Sequence, residues 1–376
     1  MKIISLFNNK GGVGKSTLAF HLGHALSEMG NKVMFMDLDP QCNLTICCMQ
    51  EEQLHEIWQE EDPYIDDFET SYSTDKTIIN SCRSIHFLLK PAEDGLSEFE
   101  KLPPVYSVST NLDLIPGRLS IHRYENKIAE RWSGAYQSDN LAIRTITNIR
   151  NICLRYTELN NYDYIIMDTS PSLGILNKVI ISTVDGFVVP AQPDMFSLYG
   201  IRNIGSSLES WQKDLNVIYS LISDDKRAKF PDKFVQFLGY TIYNAKKYTK
   251  KGISLNNYDL AQAHYQYASQ IPETILRFIK RENRENISED IMANPIGGKN
   301  IMHTHNTFPA ISQALKCPMW KVPQKWSTLN RTNPKMIEEL LEKGFTHNTG
   351  NNGKMLAIKD AYVNFATDLI SRLKLL

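Results

Sequence analysis

Apolar and polar positions alternate along this chain in short blocks whose spacing predicts strands interleaved with helices. Ile3-Ile4-Ser5-Leu6-Phe7 is a strand-like run, and residues 18–26 follow it with apolar positions at helical spacing. Val33-Met34-Phe35-Met36 predicts the next strand, ending in Asp37-Leu38-Asp39-Pro40-Gln41. Asn111-Leu112-Asp113-Leu114-Ile115-Pro116-Gly117 predicts a further strand ending in a turn. A helical stripe covers 141–159, through 142, 146, 149, 153 and 156. Tyr162-Asp163-Tyr164-Ile165-Ile166-Met167-Asp168 then reads as an apolar strand ending in Asp. Gly186-Phe187-Val188-Val189-Pro190 and the run 234–244 predict two more strands, with a helix through Trp211 between them. Ile358, Tyr362, Phe365, Leu369 and Leu373 stand three and four apart on a closing helix. Strands alternating with helices imply an α/β fold, a doubly wound, mostly parallel sheet with helices on both faces.

Between these blocks the pattern is weaker. Residues 51–69 carry nine acidic side chains and no Lys or Arg, which reads as a solvated helix followed by a loop. Residues 78–108 are irregular, 118–140 are polar with scattered aromatics, and 290–350 contain two loop-like polar runs.

Composition changes the picture little. Apolar residues make up 42% and charged residues 22%, as expected of a globular chain with a sizeable core. The net charge of −1 gives no global basic field, so any nucleic-acid site must be a local patch. Six cysteines lack disulfide-framework spacing, no signal-like segment opens the chain, and no apolar run approaches the ~18 residues of a membrane span. The expectation is a cytoplasmic protein with reduced thiols. His303-Thr304-His305 has no Cys or carboxylate at metal-ligand spacing.

The candidate chemistry begins at Lys10-Gly11-Gly12-Val13-Gly14-Lys15-Ser16-Thr17, between the first strand and the first helix. A Gly-rich turn lets backbone N–H groups close around phosphate oxygens, and the helix N-terminus adds partial positive charge. Lys15 is then placed for the β- and γ-phosphates and Ser16 for Mg²⁺. Position 9, where the usual phosphate-loop pattern has glycine, is Asn9.

This loop resembles the deviant Walker A loop of the ParA/MinD group of P-loop ATPases. Asp37-Leu38-Asp39-Pro40-Gln41 resembles that group's first switch, Asp168-Thr169-Ser170-Pro171 its Walker B strand end and second switch, and Pro193-Asp194-Met195-Phe196-Ser197-Leu198 a further family segment. The resemblance implies ATP and Mg²⁺ as cofactors. It implies nucleotide contacts from Gly11, Gly12, Val13, Gly14, Lys15, Ser16 and Thr17, and metal contacts from Ser16, Asp39 and Asp168. Asp39 would orient the attacking water, with Asp37 supporting the site. Lys10 would reach the nucleotide of a partner subunit in an ATP-dependent homodimer. Asn244 and Pro272 stand where relatives contact adenine, Pro272 as a strand-end proline.

One domain over 1–376 is expected, with variable insertions at about 50–110 and 290–350. The implied activity is ATP hydrolysis stimulated by a partner protein, in DNA partition. Basic residues between 244 and 285 (Lys246, Lys247, Lys250, Lys251, Arg277, Lys280, Arg281, Arg284) offer a non-specific DNA surface. The alternatives are a regulatory ATPase of a multi-protein (for example defence) system, a MinD-like positioning ATPase, an iron–sulfur carrier and a P-loop ligase or kinase. A membrane-targeting tail is not expected, since the segment from Ser371 to Leu376 is short for one.

Overall fold

A computed structural model describes residues 1–243, 245, 247–250, 253–254, 256–299, 301 and 308–376. Asn244, Lys246, Lys251 and His303-Thr304-His305 therefore lie outside the described residues. The first strands and helices alternate as β1 (Lys2–Leu6), α1 (Lys15–Glu28), β2 (Val33–Asp37), α2 (Asn43–Cys48), α3 (Glu51–Asp66), α4 (Phe68–Thr74), α5 (Ile85–Asp94), β3 (Tyr106–Ser109) and β4 (Leu112–Ile115). There follow α6 (His122–Ala135), α7 (Asn140–Asn160), β5 (Tyr164–Asp168), α8 (Ile175–Thr183), β6 (Gly186–Ala191), α9 (Met195–Leu221) and β7 (Gln236–Ile242).

The seven strands form one sheet in the order β3-β4-β2-β5-β1-β6-β7, parallel except for the β3–β4 pair. The chain moves from β1 toward β2 on one side and from β5 through β6 to β7 on the other. With right-handed crossovers, those two directions put the connecting helices on opposite faces. Strands β2 and β6 are buried at every residue and β1 and β5 at all but the first, which is why they read as continuous apolar runs without alternation.

Register brings the functional strand ends together. Leu6 of β1 and Asp37 of β2 both pair with Asp168 of β5. The loops after β1, β2 and β5 thus leave the sheet at one level, the crevice where parallel α/β sheets take ligands.

Three expectations are corrected. Residues 78–108 are not simply irregular: they contain α5, capped by Ser84, whose hydroxyl accepts from Phe87 N at 3.3 Å. Every residue from Ile85 to Glu93 is buried, including a polar stripe, His86, Lys90 and Glu93, whose members pair with one another, and Pro91 interrupts the apolar run in the sequence. The loop expected after the acidic helix is α4, started by Asp67 accepting from Thr70 N at 3.1 Å. The polar run 347–353, read as a loop, holds a 3₁₀ turn at Thr349–Asn351 and the start of the closing helix at Asn352, ahead of the expected Ile358; helices Phe308–Ala314, Val322–Thr332 and Pro334–Glu342 lie before it. The turn at 294–299 stands as read, with Gly297 and Gly298 at φ 70° and 67°.

A candidate phosphate-loop site

Asn8 follows β1 fully buried and anchors the loop. Its amide donates to Pro190 O of β6 at 2.7 Å, and its side-chain oxygen accepts from Lys10 N at 2.9 Å. Gly11 and Gly12 are exposed, while Val13 plugs into the core beneath them. Gly14 sits in the left-handed region (φ 81°), and a Cβ there would lie 2.3 Å from the ring of Tyr243. Position 14 therefore requires glycine on both conformational and steric grounds.

Helix α1 starts at Lys15 without a side-chain cap. Among the described residues, the amide N–H groups of Gly11 through Thr17 donate to no protein acceptor. A bare helix N-terminus beside a run of unpaired amides suits an anion with several oxygens. Ser16 and Thr17 are half-buried in its first turn, and Thr17 O accepts from His21 Nδ1 at 2.7 Å.

Lys15 is buried, and its ammonium donates to Asn8 O at 3.2 Å. Burial lowers its pKa, opposed by the charges of Asp168 and Asp39. Asp168 is fully buried at the end of β5, and neither carboxylate oxygen has a well-formed hydrogen bond among the described residues. Burial, reinforced by Asp37, pushes its pKa up to about 8, with the nearby Ser16 hydroxyl pulling the other way. A buried carboxylate without a well-formed hydrogen bond is costly, which makes Asp168 a candidate to hold something other than protein.

Asp37 differs from Asp168 although both are fully buried strand ends. Thr45 donates to its Oδ2 from the backbone N (2.8 Å) and from Oγ1 (2.6 Å), and Asp39 N donates to Oδ1 at 3.2 Å. Its pKa is nonetheless raised, to about 6, first by burial. Asp37 thus shapes its own loop through Thr45 and Asp39. Asp39 is nearly buried and accepts from Gln41 N at 3.0 Å, closing the turn that faces Lys15.

Lys10 points within its own chain. Its ammonium donates to Gln192 Oε1 at 2.8 Å, pairs with Asp194, and lies 5.9 Å from the ring centre of Phe196. Gln192 also donates to Gly12 O at 3.0 Å. Asp194 is the N-cap of α9, accepting from Ser197 N at 2.9 Å. Sequence reasoning missed Gln192 and Asp194 as loop partners, although Asp-x-x-Ser before a helix is a readable cap.

Pro272 is placed differently from the expectation. It occupies the first turn of helix Ile271–Phe278, which packs on α9, and does not end a strand. Proline at that position is preorganised for a helix start. Tyr243, at the end of β7, is the aromatic that covers the loop instead.

No group of three or more His, Cys, Asp or Glu among the described residues forms a cage for a metal ion. Mg²⁺ held with a nucleotide needs none, since phosphates and water fill most of its coordination beside one or two carboxylates. The unpartnered Asp168 beside Ser16 fits that demand. No described helix is long and apolar enough to cross a membrane.

A family model described as an AAA domain matches residues 1–220. The chain is 28% identical over 248 residues to an uncharacterized protein of Methanocaldococcus jannaschii, covering 63% of this chain and 79% of that one. It is 29% identical over 218 residues to an uncharacterized Mycobacterium tuberculosis protein, 57% of this chain but only 54% of that protein's length. A virulence plasmid ParA family protein of Chlamydia psittaci is 26% identical over 257 residues, 67% of this chain and 80% of its own. The solved structure of pNOB8 ParA superposes with a TM-score of 0.54 at 17% identity, covering 99% of this chain and 98% of that one, a likeness of fold. The loop, the strand ends aligned on Asp168 and these matches converge: the chain belongs to the ParA family of P-loop ATPases.

Proposed function

We propose that this chain binds ATP with Mg²⁺ at the 8–17 loop and hydrolyses it slowly as an ATP-switched homodimer. The observation that carries the proposal is Asp168, a buried carboxylate without a protein partner, set beside Ser16 and Lys15. The unpaired amides of 11–17 cradle the phosphates, and Lys15 supplies charge to the β- and γ-phosphates. Ser16 and Asp168 would hold the metal, with Asp39 at its edge; Mg²⁺ supplies charge neutralisation on the phosphates. Asp39 accepts a hydrogen bond from the attacking water and so fixes its direction. Lys10 leaves Asp194 to serve the partner subunit's nucleotide. Calorimetric titration of ATP tests the site. Lys15→Ala removes a charge-assisted contact worth about 1.5–3 kcal/mol per hydrogen bond, so affinity should fall at least about tenfold. Unchanged affinity places the nucleotide elsewhere.

The family context and a local cationic surface support a role in partition through non-specific DNA. Arg202 and Arg277 are exposed, and their guanidinium groups lie 5.6 and 5.3 Å from the ring centre of Phe278. Lys247 and Arg281 are also exposed, while Lys280 pairs with Glu209 at 3.1 Å. Phosphate contacts release counterions, so affinity for random-sequence duplex should appear with ATP, weaken with ADP and fall steeply with salt. Fluorescence anisotropy reads this directly. Absence of binding with ATP at low salt would favour a regulatory ATPase acting on a protein partner.

A further inference from the structure

A second cluster of reactive groups lies outside the phosphate-loop site, between the acidic helix α3 and the turn that precedes α6. Ser120 occupies a short 3₁₀ turn, Leu119–Ile121, that runs directly into α6. Its Oγ is 2.7 Å from His86 Nδ1 and accepts from Arg118 Nε at 3.0 Å. His86, fully buried in α5, presents Nε2 to Glu93 Oε2 at 2.9 Å, and Glu93 Oε1 accepts from Lys90 Nζ at 3.1 Å.

These contacts fix the proton positions. Burial would raise the Glu93 pKa, but the His86 hydrogen bond and the Lys90 charge hold it below the ordinary value, so the carboxylate is ionised and only accepts. Nε2 of His86 must then carry the hydrogen, leaving the Nδ1 lone pair toward Ser120. Burial lowers the imidazole pKa, which keeps the base free at neutral pH. The Ser120 hydroxyl donates to that lone pair while Arg118 Nε donates to its oxygen; the rest of that guanidinium donates to Trp58 O at 3.0 Å and to Glu61 Oε2 at 3.1 Å and pairs with Asp62. Nucleophile, base and orienting carboxylate are therefore in hydrogen-bonding sequence.

The serine also opens onto space. A cavity of about 250 Å³ is lined by His55, Trp58, Gln59, Asp62, Arg118, Leu119 and Ser120. Ser120 is half-buried there, and Trp58 and Leu119 give the cavity its apolar wall. The amide N–H groups of Leu119 and Ser120 donate to no protein acceptor among the described residues, at the start of the turn that feeds α6. These two unpaired amides beside the serine are the donors available to a developing oxyanion.

We propose that Ser120, with His86 as its base and Glu93 as a positioning residue, forms a serine-hydrolase site for a short-chain carboxylic ester. Ser120 Oγ adds to the ester carbonyl and its proton passes to His86 Nδ1. The tetrahedral adduct expels the alcohol, which takes that proton, and leaves an acyl-serine. Water then attacks the acyl carbon, gives a proton to His86 Nδ1, and releases the carboxylic acid as Ser120 regains its hydrogen. The depression beside Ser120 has room for an acyl chain of a few carbons. This site does not depend on the nucleotide reading: no residue of the 8–17 loop lines it.

A fluorophosphonate probe on the full native chain tests the proposal, with the modified residue located by peptide mass spectrometry. Labelling should map to Ser120, vanish in Ser120→Ala and slow at least tenfold in His86→Gln. Hydrolysis of p-nitrophenyl acetate should follow the same order. The charged groups facing His86 are Glu93 and Lys90 of α5 and Arg118 from the preceding turn. Glu93→Gln removes the one anion among them, so the acid limb of the labelling profile should move to lower pH, which a purely structural role would not cause. The outcome does not hang on the folding of any variant, because labelling of the wild-type chain decides it. Ser120 left unmodified in the native protein, or modified no faster than other serines of the chain, overturns the proposal.

Discussion

Replacing Asp168 by asparagine should stabilise the nucleotide- and metal-free protein. In the fold this carboxyl keeps its proton up to about pH 8, whereas in the unfolded chain it ionises near 3.8. The native state therefore binds the extra proton, and stability is full below about pH 4 and lost as pH rises toward 8. At pH 7 the penalty is about 1.36 kcal/mol for each of roughly three pH units, close to 4 kcal/mol with rigid surroundings. If Lys15 or water moves toward the carboxylate, the figure is about half that. Asparagine has the same shape and no charge to desolvate, so it avoids the penalty. With about 2–4 °C per kcal/mol for domains of 150–250 residues, the expected rise in Tm is a few degrees at pH 7.5 in EDTA. The gap should narrow by roughly half at pH 5.5, where the wild-type carboxyl is easier to keep protonated. Mg²⁺ with ATP should reverse the order, stabilising the wild type and leaving the variant unmoved. Thermal melts at the two pH values, with and without Mg²⁺-ATP, suffice. A variant less stable than wild type at both pH values, or a gap independent of pH, would refute the assignment of Asp168 as an unpaired, proton-holding carboxyl.

Other perturbations separate the remaining roles. Lys10→Ala should leave ATP binding nearly unchanged and slow turnover, as a steady-state phosphate-release assay would read; binding and turnover lost together would place Lys10 in its own subunit's site. Asp39→Ala should bind ATP, hydrolyse it poorly and persist as a dimer on size exclusion with ATP; a monomer with wild-type turnover removes both the residue's role and the switch. His24 is fully buried with no hydrogen-bond partner for either ring nitrogen among the described residues, and burial takes its pKa down to about 3. Its stability contribution is present above about pH 6.5 and is lost toward pH 3, at up to about 1.4 kcal/mol per unit, so His24→Leu should flatten the acid limb of a urea-melt series; an unchanged limb would contradict this.

Legibility from sequence followed chemistry and periodicity. The loop at 10–17 and the strand-end carboxylates Asp37 and Asp168 could be located from sequence because each follows or ends a buried apolar run, and register aligns those strand ends; Asp39 lies two residues past β2. The central strands were readable for the same reason. Helix α5 was not, although His86, Lys90, Glu93 and Asp94 fall at helical spacing, because Pro91 inside it reads as a break and the flanking sequence carries no further period. Pro272 was misplaced because a proline fits a strand end and a helix start equally well in isolation. Long-range partners were beyond any local pattern. Gln192 and Asp194 meet Lys10 across more than 180 residues of chain, and Tyr243 lies on Gly14 from the far edge strand.

The Lys10 contact decides how readily the loop could change partners. Lys10 and Asp194 are 22% and 35% exposed, so water screens much of their attraction. Burial alone would raise the Asp194 pKa, yet the Lys10 hydrogen bond and the Ser197 amide hold it below its usual value. After that screening, a partly exposed pair of this kind is worth about 0–1 kcal/mol. Release also costs little on the carboxylate side, because Asp194 keeps its cap bond from Ser197 N and is not left without a partner. A triphosphate across a subunit interface offers several anionic oxygens in a drier setting, where charge-assisted hydrogen bonds are worth about 1.5–3 kcal/mol each. The comparison favours exchange once a partner subunit is docked and favours Asp194 before then. A lysine that rests on a neighbouring helix cap and leaves it cheaply suits the proposed switch, in which the partner subunit docks only with nucleotide.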